Sequence, residues 1–335
     1  PGTTASIDFV SPAGTQYWVV VDGLGESTGS YQIRVQVQPF TNFLYFPEGY
    51  ANDNIREFLS ITNPNNVSAT YSVYLRYESG SQLESFLGTT TIPANSRGGL
   101  TIVDGASYIT PGVLRDTPYA IVLESDQPLG ATLAHYDFGN AIGDSLTSTT
   151  SPTWYFPRVE RNPGAVQDYI LLYNPNNFEI TVTLTAFKDG SEVSLVRTFG
   201  ALRRGGFSIN DITEFPIGSF GVRLSAVASS PSNNSAFIGI VGSMSHYTPG
   251  GDAGWATLGD PAGGSKVGVI TNIAQSTKVN SDITFFNPND VAITVTLTGT
   301  YVREDLPQFG RSIEIAAKGQ AIVTAASLGL VADQP

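Results

Sequence analysis

Cysteine is missing from all 335 residues, so neither a disulfide framework nor thiol chemistry is available to this chain. Histidine occurs twice and charged residues make up only 14%, and no long amphipathic helical stretch is present. Lys and Arg total 17 against 29 Asp and Glu, a formal charge of −12. That balance excludes a basic field facing phosphates, so no nucleic acid is expected as a partner. No run of about 18 apolar residues occurs, so no membrane span is expected in this segment. A charged-then-apolar leader and a lipidation motif are missing too. Pro1 is not a translation start, and the sequence reads as part of a longer precursor. There is no Gly-rich phosphate loop, no Gly-x-Ser-x-Gly elbow and no His-Glu-x-x-His.

What the chain does contain is Gly (35), Pro (20) and much Ser, Thr and Asn, the composition of strands joined by turns. One phrase recurs. Asn63-Pro64-Asn65-Asn66, Asn174-Pro175-Asn176-Asn177 and Asn287-Pro288-Asn289-Asp290 are separated by 111 and then 113 residues, and each lies between two alternating apolar runs. Other points fall into step: Phe46-Pro47 with Phe156-Pro157, Arg97-Gly98-Gly99 with Arg204-Gly205-Gly206, His135-Tyr136 with His246-Tyr247. A period of one domain, matched at several places, indicates duplication.

Upstream of each motif, Leu59/Ile61, Ile170/Leu172 and Ile283/Phe285 share one face of a strand. Downstream, Ile180/Val182/Leu184 alternate with Thr181/Thr183/Thr185, and Ile293/Val295/Leu297 with Thr294/Thr296/Thr298, a half-buried antiparallel pattern. The Asn-Pro segment is therefore expected to be a hairpin turn, with Pro fixing φ and Asn tolerating left-handed backbone. Several strands in about 110 residues predict an all-β chain of tandem immunoglobulin-like antiparallel β-sandwiches. The divisions are 1–41, then repeats at 42–152, 153–262 and 263–335. The last repeat ends before any counterpart of the His-Tyr strand, and its open edges are expected to be completed in cis or by a neighbouring subunit.

In the first segment, Tyr17-x-Val19-x-Val21-Asp22-Gly23 followed by Gly29-x-Tyr31-x-Ile33-x-Val35 resembles the closing strands of the bacterial pre-peptidase C-terminal domain over about 35 residues. The repeats, through Tyr45-Phe46-Pro47, Tyr155-Phe156-Pro157, the Asn-Pro-Asn turns and Ser125-Asp126-Gln127-Pro128 leading to His135-Tyr136-Asp137, resemble tandem β-sandwich domains of unassigned function from large bacterial secreted and cell-surface proteins. The resemblance implies a secreted or cell-surface accessory or structural module and carries no activity with it.

Candidate chemistry is sparse. His135 and His246 stand at equivalent strand ends without a second histidine or a cysteine, which supplies metal sites poorly; they read as scaffold, and no catalytic residue is expected. Asp53, Glu57, Asp104, Asp137, Asp144, Asp211, Asp252 and Asp260 read as solvated loop carboxylates, with Ca²⁺ at domain junctions or loops the one cofactor left open. Phe46, Trp154, Phe156 and Trp255 are the candidates for domain-junction or glycan-contact aromatics, with Trp18, Tyr45, Tyr50 and Tyr155 beside them; for Trp154 the junction is favoured. Asn66-Val67-Ser68 and Asn233-Asn234-Ser235 match the glycosylation triplet. The expected function is a non-enzymatic extracellular structural protein, a surface-layer, filament or stalk component that contacts copies of itself or neighbouring domains. The alternative is a polysaccharide-binding or adhesive region of a secreted hydrolase or adhesin.

Overall fold

The computed structural model describes residues 40–230, 238–250, 253–261, 263–264, 267–270, 273–276, 281–301 and 308–330. The pre-peptidase-like segment, Trp18, Asp252 and the second glycosylation triplet lie outside these residues. The described chain is a series of antiparallel β-sandwiches, as the alternation predicts, and no helix among the described residues is long and apolar enough to cross a membrane.

In unit 1, β1 (Asn42–Phe46), β7 (Tyr119–Ser125), β3 (Ala69–Tyr77) and β4 (Glu84–Ile92) form one sheet in that order. The other sheet runs β6 (Tyr108–Ile109), β5 (Ser96–Asp104), β2 (Arg56–Asn63), β8 (Gly130–Asp137), β9 (Asn140–Ile142). Unit 2 repeats the plan. Its sheets are β10 (Thr153–Arg161), β15 (Gly218–Ala228), β12 (Ile180–Lys188), β13 (Ser191–Phe199), and β14 (Arg204–Ser208), β11 (Gln167–Tyr173), β16 (Val241–Tyr247), β17 (Gly254–Leu258). Unit 3 contributes β18 (Asp282–Asn287) paired with β21 (Gly319–Thr324), and β19 (Ile293–Gly299) paired with β20 (Phe309–Ile315). Between the sheets of unit 1 sit Phe46, Leu59, Ile61, Val73, Leu75, Ile121 and Leu133; between those of unit 2, Trp154, Phe156, Ile170, Val182, Leu184, Val222 and Met244.

The repeated motif corrects one expectation. The strands before and after each Asn-Pro lie in different sheets, so the segment is an arch between the two layers and not the turn of a hairpin. The physical reason is the buried first asparagine. Asn63, fully buried, stands at the end of β2, yet its Nδ2 donates to the carbonyls of Val67 (2.9 Å), Ile92 (3.2 Å) and Pro93 (3.0 Å), all leading into or out of the opposite sheet. Its Oδ1 accepts from the backbone N–H and Nδ2 of Asn65 at 3.0 and 2.8 Å. Asn287 makes the same bonds, to Val291, Ile315 and Ala316 and from Asn289. Asn174 holds Phe178 and Gly200 and is held by Asn176. One amide side chain thus satisfies backbone groups that a sheet-to-sheet crossing would otherwise orphan.

The second asparagine carries the device one step further. Its backbone carbonyl accepts an N–H from Asn95, Leu202 or Lys318 in units 1, 2 and 3, at 2.9, 3.0 and 2.9 Å. All three donors have left-handed φ, 51°, 55° and 48°. Asparagine tolerates that conformation, whereas a leucine is held there against a steric penalty of about 1 kcal/mol. Replacing Leu202 by the asparagine of unit 1 is therefore expected to raise the stability of unit 2 by roughly 0.5–1 kcal/mol. Chemical denaturation of wild type and Leu202→Asn reads this; an unchanged or lower midpoint would contradict the strain.

Candidate functional site: the junctions between units

Several positions that the period brings into step, Tyr45 with Tyr155, Pro47 with Pro157 and Tyr173 with Phe286, meet where the outer face of a four-stranded sheet faces the next unit. At the first junction, Tyr45 of β1 lies 5.6 Å from Tyr173 of β11, ring centre to ring centre. Tyr74, Ala120 and Val122 of unit 1 cluster with Tyr173 and Val241 of unit 2, every one of them buried. Arg204, 8% exposed, donates from Nε to the Pro47 carbonyl at 3.2 Å and pairs with Glu78. Arg203 covers the 77–82 loop by donating to the carbonyls of Tyr77, Ser79, Gly80 and Gln82. Further along, the Ser245 hydroxyl donates to Glu48, the Leu258 N–H to Asp144 and Asn140 Nδ2 to the Thr248 carbonyl. Apolar burial supplies the bulk of such an interface and the polar set fixes its register.

The second junction uses the same positions with different residues. Phe286 pairs with Gln320 across unit 3 as Tyr173 pairs with Arg204 across unit 2. Phe286 packs on Tyr155 (6.5 Å) and Phe187 (5.4 Å). Gln320 Nε2 donates to the Pro157 carbonyl at 2.6 Å, where Arg204 meets Pro47, and its Oε1 accepts from Ser219 at 3.0 Å. Arg158–Asp282 (3.6 Å) and Lys318–Glu192 (3.4 Å) bridge the rim. Unit 2 therefore receives unit 1 on its β14-β11-β16 face and presents its β10-β15-β12 face to unit 3.

No family model and no curated protein matches this sequence. Among solved structures, one titled "Crystal Structure of Thermotoga maritima 1070" is similar over 31% of this chain and 91% of that one, at 18% identity and a TM-score of 0.27. A likeness of that size carries no argument about fold or activity.

The aromatics separate cleanly. Phe46, Trp154 and Phe156 are at most 1% exposed and belong to unit cores, and Trp154 Nε1 donates to the Ile240 carbonyl at 2.8 Å. The junction expected for Trp154 is thus made instead by its neighbour Tyr155, because side chains alternate along the opening strand and the core claims every second one. Trp255 is half-buried, stacks on His246 at 5.2 Å and lines a cleft of about 340 Å³ with Tyr155, Arg158 and Asp260. Pro64, Pro175 and Pro288 introduce the arches.

The two histidines have partners that the sequence reading missed. His135 Nδ1 lies 2.7 Å from Glu57 Oε1, both at most 1% exposed, and Glu57 also accepts from the Tyr119 hydroxyl and the Tyr50 N–H. His246 Nδ1 lies 2.6 Å from Asp168 Oδ1, whose other oxygen accepts from the Glu160 N–H at 2.6 Å. Glu57 is therefore a buried strand residue and not a solvated loop acid. Both carboxylates stand 78 residues before their histidine, and that equal spacing was the available signal. In unit 1 the carboxylate of the pair ties the loop after the opening strand, at Tyr50, to the sheet that carries the histidine, and in unit 2 it ties the end of the opening strand itself, at Glu160.

Burial opposes the imidazolium of His135, but the Glu57 hydrogen bond and the charges of Glu57, Glu48 and Asp137 outweigh it, so its pKa is raised above 6.5. A raised folded-state value means a stability contribution fully present below the unfolded pKa and lost as pH climbs through the folded one. Asp137, raised from 3.8 mainly by burial, acts in the same direction in a lower window. Stability of unit 1 is therefore expected to fall as pH rises above about 6.5, and His135→Gln should flatten that limb. Denaturant midpoints from pH 5 to 9 check it; a midpoint that rises with pH would reverse the assignment.

Proposed function

We propose that this chain is a non-enzymatic, extracellular structural component, a surface-layer, filament or stalk element in which the sandwiches act as a stiff spacer. The observation that supports this is the recurrence of one junction. Tyr45–Tyr173 with Pro47–Arg204 and Tyr155–Phe286 with Pro157–Gln320 occupy equivalent positions, and a repeated interface of packed rings and directed hydrogen bonds holds successive units at one relative angle. The acidic surface keeps such an array apart from its neighbours in solution, and Ca²⁺ taken up by loop carboxylates is part of the proposal as an added stiffener.

Gly221 provides the test. A Cβ at this position would run into the Phe286 ring, so Gly221→Val forces unit 3 off its seat without touching either core. Small-angle scattering of the full chain, with and without Ca²⁺, is expected to give a fixed maximum dimension for wild type and a broader, longer distribution for the variant. Equal flexibility in both would sink the spacer reading. The second reading, polysaccharide binding, is favoured by half-buried Trp255 beside Tyr155 in the cleft; a pull-down on insoluble polysaccharides abolished by Trp255→Ala would support it.

A further inference from the structure

The two joints use different chemistry at matched positions. At the first, the Glu48 carboxylate of unit 1, 7% exposed, accepts from the Ser245 hydroxyl of unit 2. Beside it lie the buried Glu57–His135 pair and, at the end of β8, half-buried Asp137. Unit 2 closes over this cluster with Tyr247, 2% exposed, which packs on the rings of His135 (6.4 Å), Phe138 (5.1 Å) and its own Tyr169 (6.1 Å). The other titratable groups that face it are Tyr50, Tyr77, Asp116 and Tyr119 of unit 1 and Asp211, beyond Tyr169, of unit 2. Arg204 reaches the Pro47 carbonyl one residue before Glu48, but its charge is paired with Glu78. Among the described residues, His135 is therefore the one basic group set against the carboxylates of Glu48, Glu57 and Asp137. At the second joint Arg158 takes the position of Glu48 and pairs with Asp282 at 3.6 Å. Thr248 takes that of Asp137, and His246 stacks on Trp255 of its own unit.

We propose that the joint between units 1 and 2 is a pH-operated hinge, docked while His135 carries a proton and released when it loses it, and that the joint between units 2 and 3 lacks this response. This rests on the spacer reading and gives the spacer a control. Docking takes the cluster out of water, and desolvation costs more for three carboxylates alone than for three carboxylates with an imidazolium among them. The docked form therefore holds the His135 proton more tightly than the undocked form. The shifts agree in sign: burial opposes the imidazolium of His135, but Glu57, Glu48 and Asp137 outweigh it and raise its pKa above 6.5, and Asp137 is raised from 3.8 mainly by burial. Tyr50, Tyr119, Tyr169 and Tyr247 are all raised above 10, burial being the first cause in each, so these phenols stay neutral while the histidine titrates. A group whose pKa is raised on docking stabilises the docked form below its undocked value, and that contribution is lost as pH climbs through the docked value. Undocking thus releases one proton, and the undocked fraction grows by up to roughly tenfold per pH unit in that window.

The absence of cysteine makes the test local to one joint. In the full chain, nitroxides at Thr91→Cys and Thr198→Cys span the first joint and those at Thr198→Cys and Thr296→Cys the second, all three threonines being exposed. Distances read by pulsed electron resonance are expected to be narrowly distributed across both joints at about pH 5.5, and at about pH 9 to broaden across the first alone. Glu48→Gln removes one carboxylate and should keep the first joint narrow at the higher pH, whereas His135→Gln should give one width at both. Circular dichroism at each pH establishes that both variants are folded. Equal widths across the first joint at the two pH values overturn the proposal, as do equal broadening of both joints, a Glu48→Gln joint that still opens, and a His135→Gln joint that still responds. Narrow distributions throughout would leave the spacer standing without its control; broad ones throughout would remove the spacer as well.

Discussion

Asn174→Ala should destabilise unit 2 by on the order of 3–5 kcal/mol, the largest effect expected from a single side chain in this molecule. The substitution removes one donor shared by the buried carbonyls of Phe178 and Gly200 and one acceptor shared by the N–H and side chain of Asn176. A buried polar group left unpaired costs about 1–3 kcal/mol, water cannot readily replace a side chain that is fully buried, and several groups are stranded together. Asn174→Asp distinguishes this account from simple packing. The aspartate keeps the volume and the acceptor but turns an oxygen toward two carbonyls, so it should be as damaging as alanine or worse. Asn176→Ala loses the two bonds its Nδ2 donates, to the Gly239 carbonyl and to Asn174 Oδ1, while the backbone N–H bond to Asn174 survives, and it should cost about 1–2 kcal/mol. Two of the three tryptophans, Trp154 and Trp255, belong to unit 2, so urea unfolding followed by fluorescence reports the right unit. A loss below about 1 kcal/mol for Asn174→Ala would remove the asparagine from the centre of the fold.

The same residue shows how far the sequence could be read. Its period gave the units and the alternation around it gave which side chains face inward, because both follow from local geometry. The layer each strand joins did not follow. A hairpin and an arch both read as strand, turn, strand, and only a long-range fact separates them: here, whether the Asn63 amide meets Ile92 and Pro93, about 30 residues away. The junction was legible as aromatic residues near Phe-Pro but off by one position, because a one-residue shift on a strand exchanges core for surface. Tyr45 and Tyr155 are at the junction, while Phe46, Trp154 and Phe156 are in cores. Arg204 was visible only as a member of a repeat. Its role depends on Pro47, 157 residues earlier, and no pattern of spacing within one unit reaches across to the next.

Arg204→Ala should uncouple units 1 and 2, lowering their mutual stabilisation by about 2 kcal/mol. Removing one member of a buried charge pair costs about 3–5 kcal/mol, but Glu78 is 35% exposed and water recovers part of its solvation, which brings the figure down. The Pro47 carbonyl has no such recourse, since Arg204 reaches it from a site 8% exposed. The two components separate by using the residue that unit 3 already employs. Arg204→Gln can keep the proline bond, as Gln320 does with Pro157, while abolishing the ion pair. The gap between wild type and Arg204→Gln should therefore shrink in 1 M salt, where screening acts within about 3 Å, and the gap between Arg204→Gln and Arg204→Ala should persist, a neutral hydrogen bond being indifferent to ionic strength. Hydrogen exchange of β1 and β7 amides reads the coupling directly. In wild type these strands are shielded by unit 2 and should open together with it; in Arg204→Ala they should open on their own, faster by about thirtyfold for 2 kcal/mol. Unchanged exchange in Arg204→Ala would mean that the rings alone fix the junction, and the stiffness of the array would then have to be sought in Tyr45, Tyr74 and Tyr173.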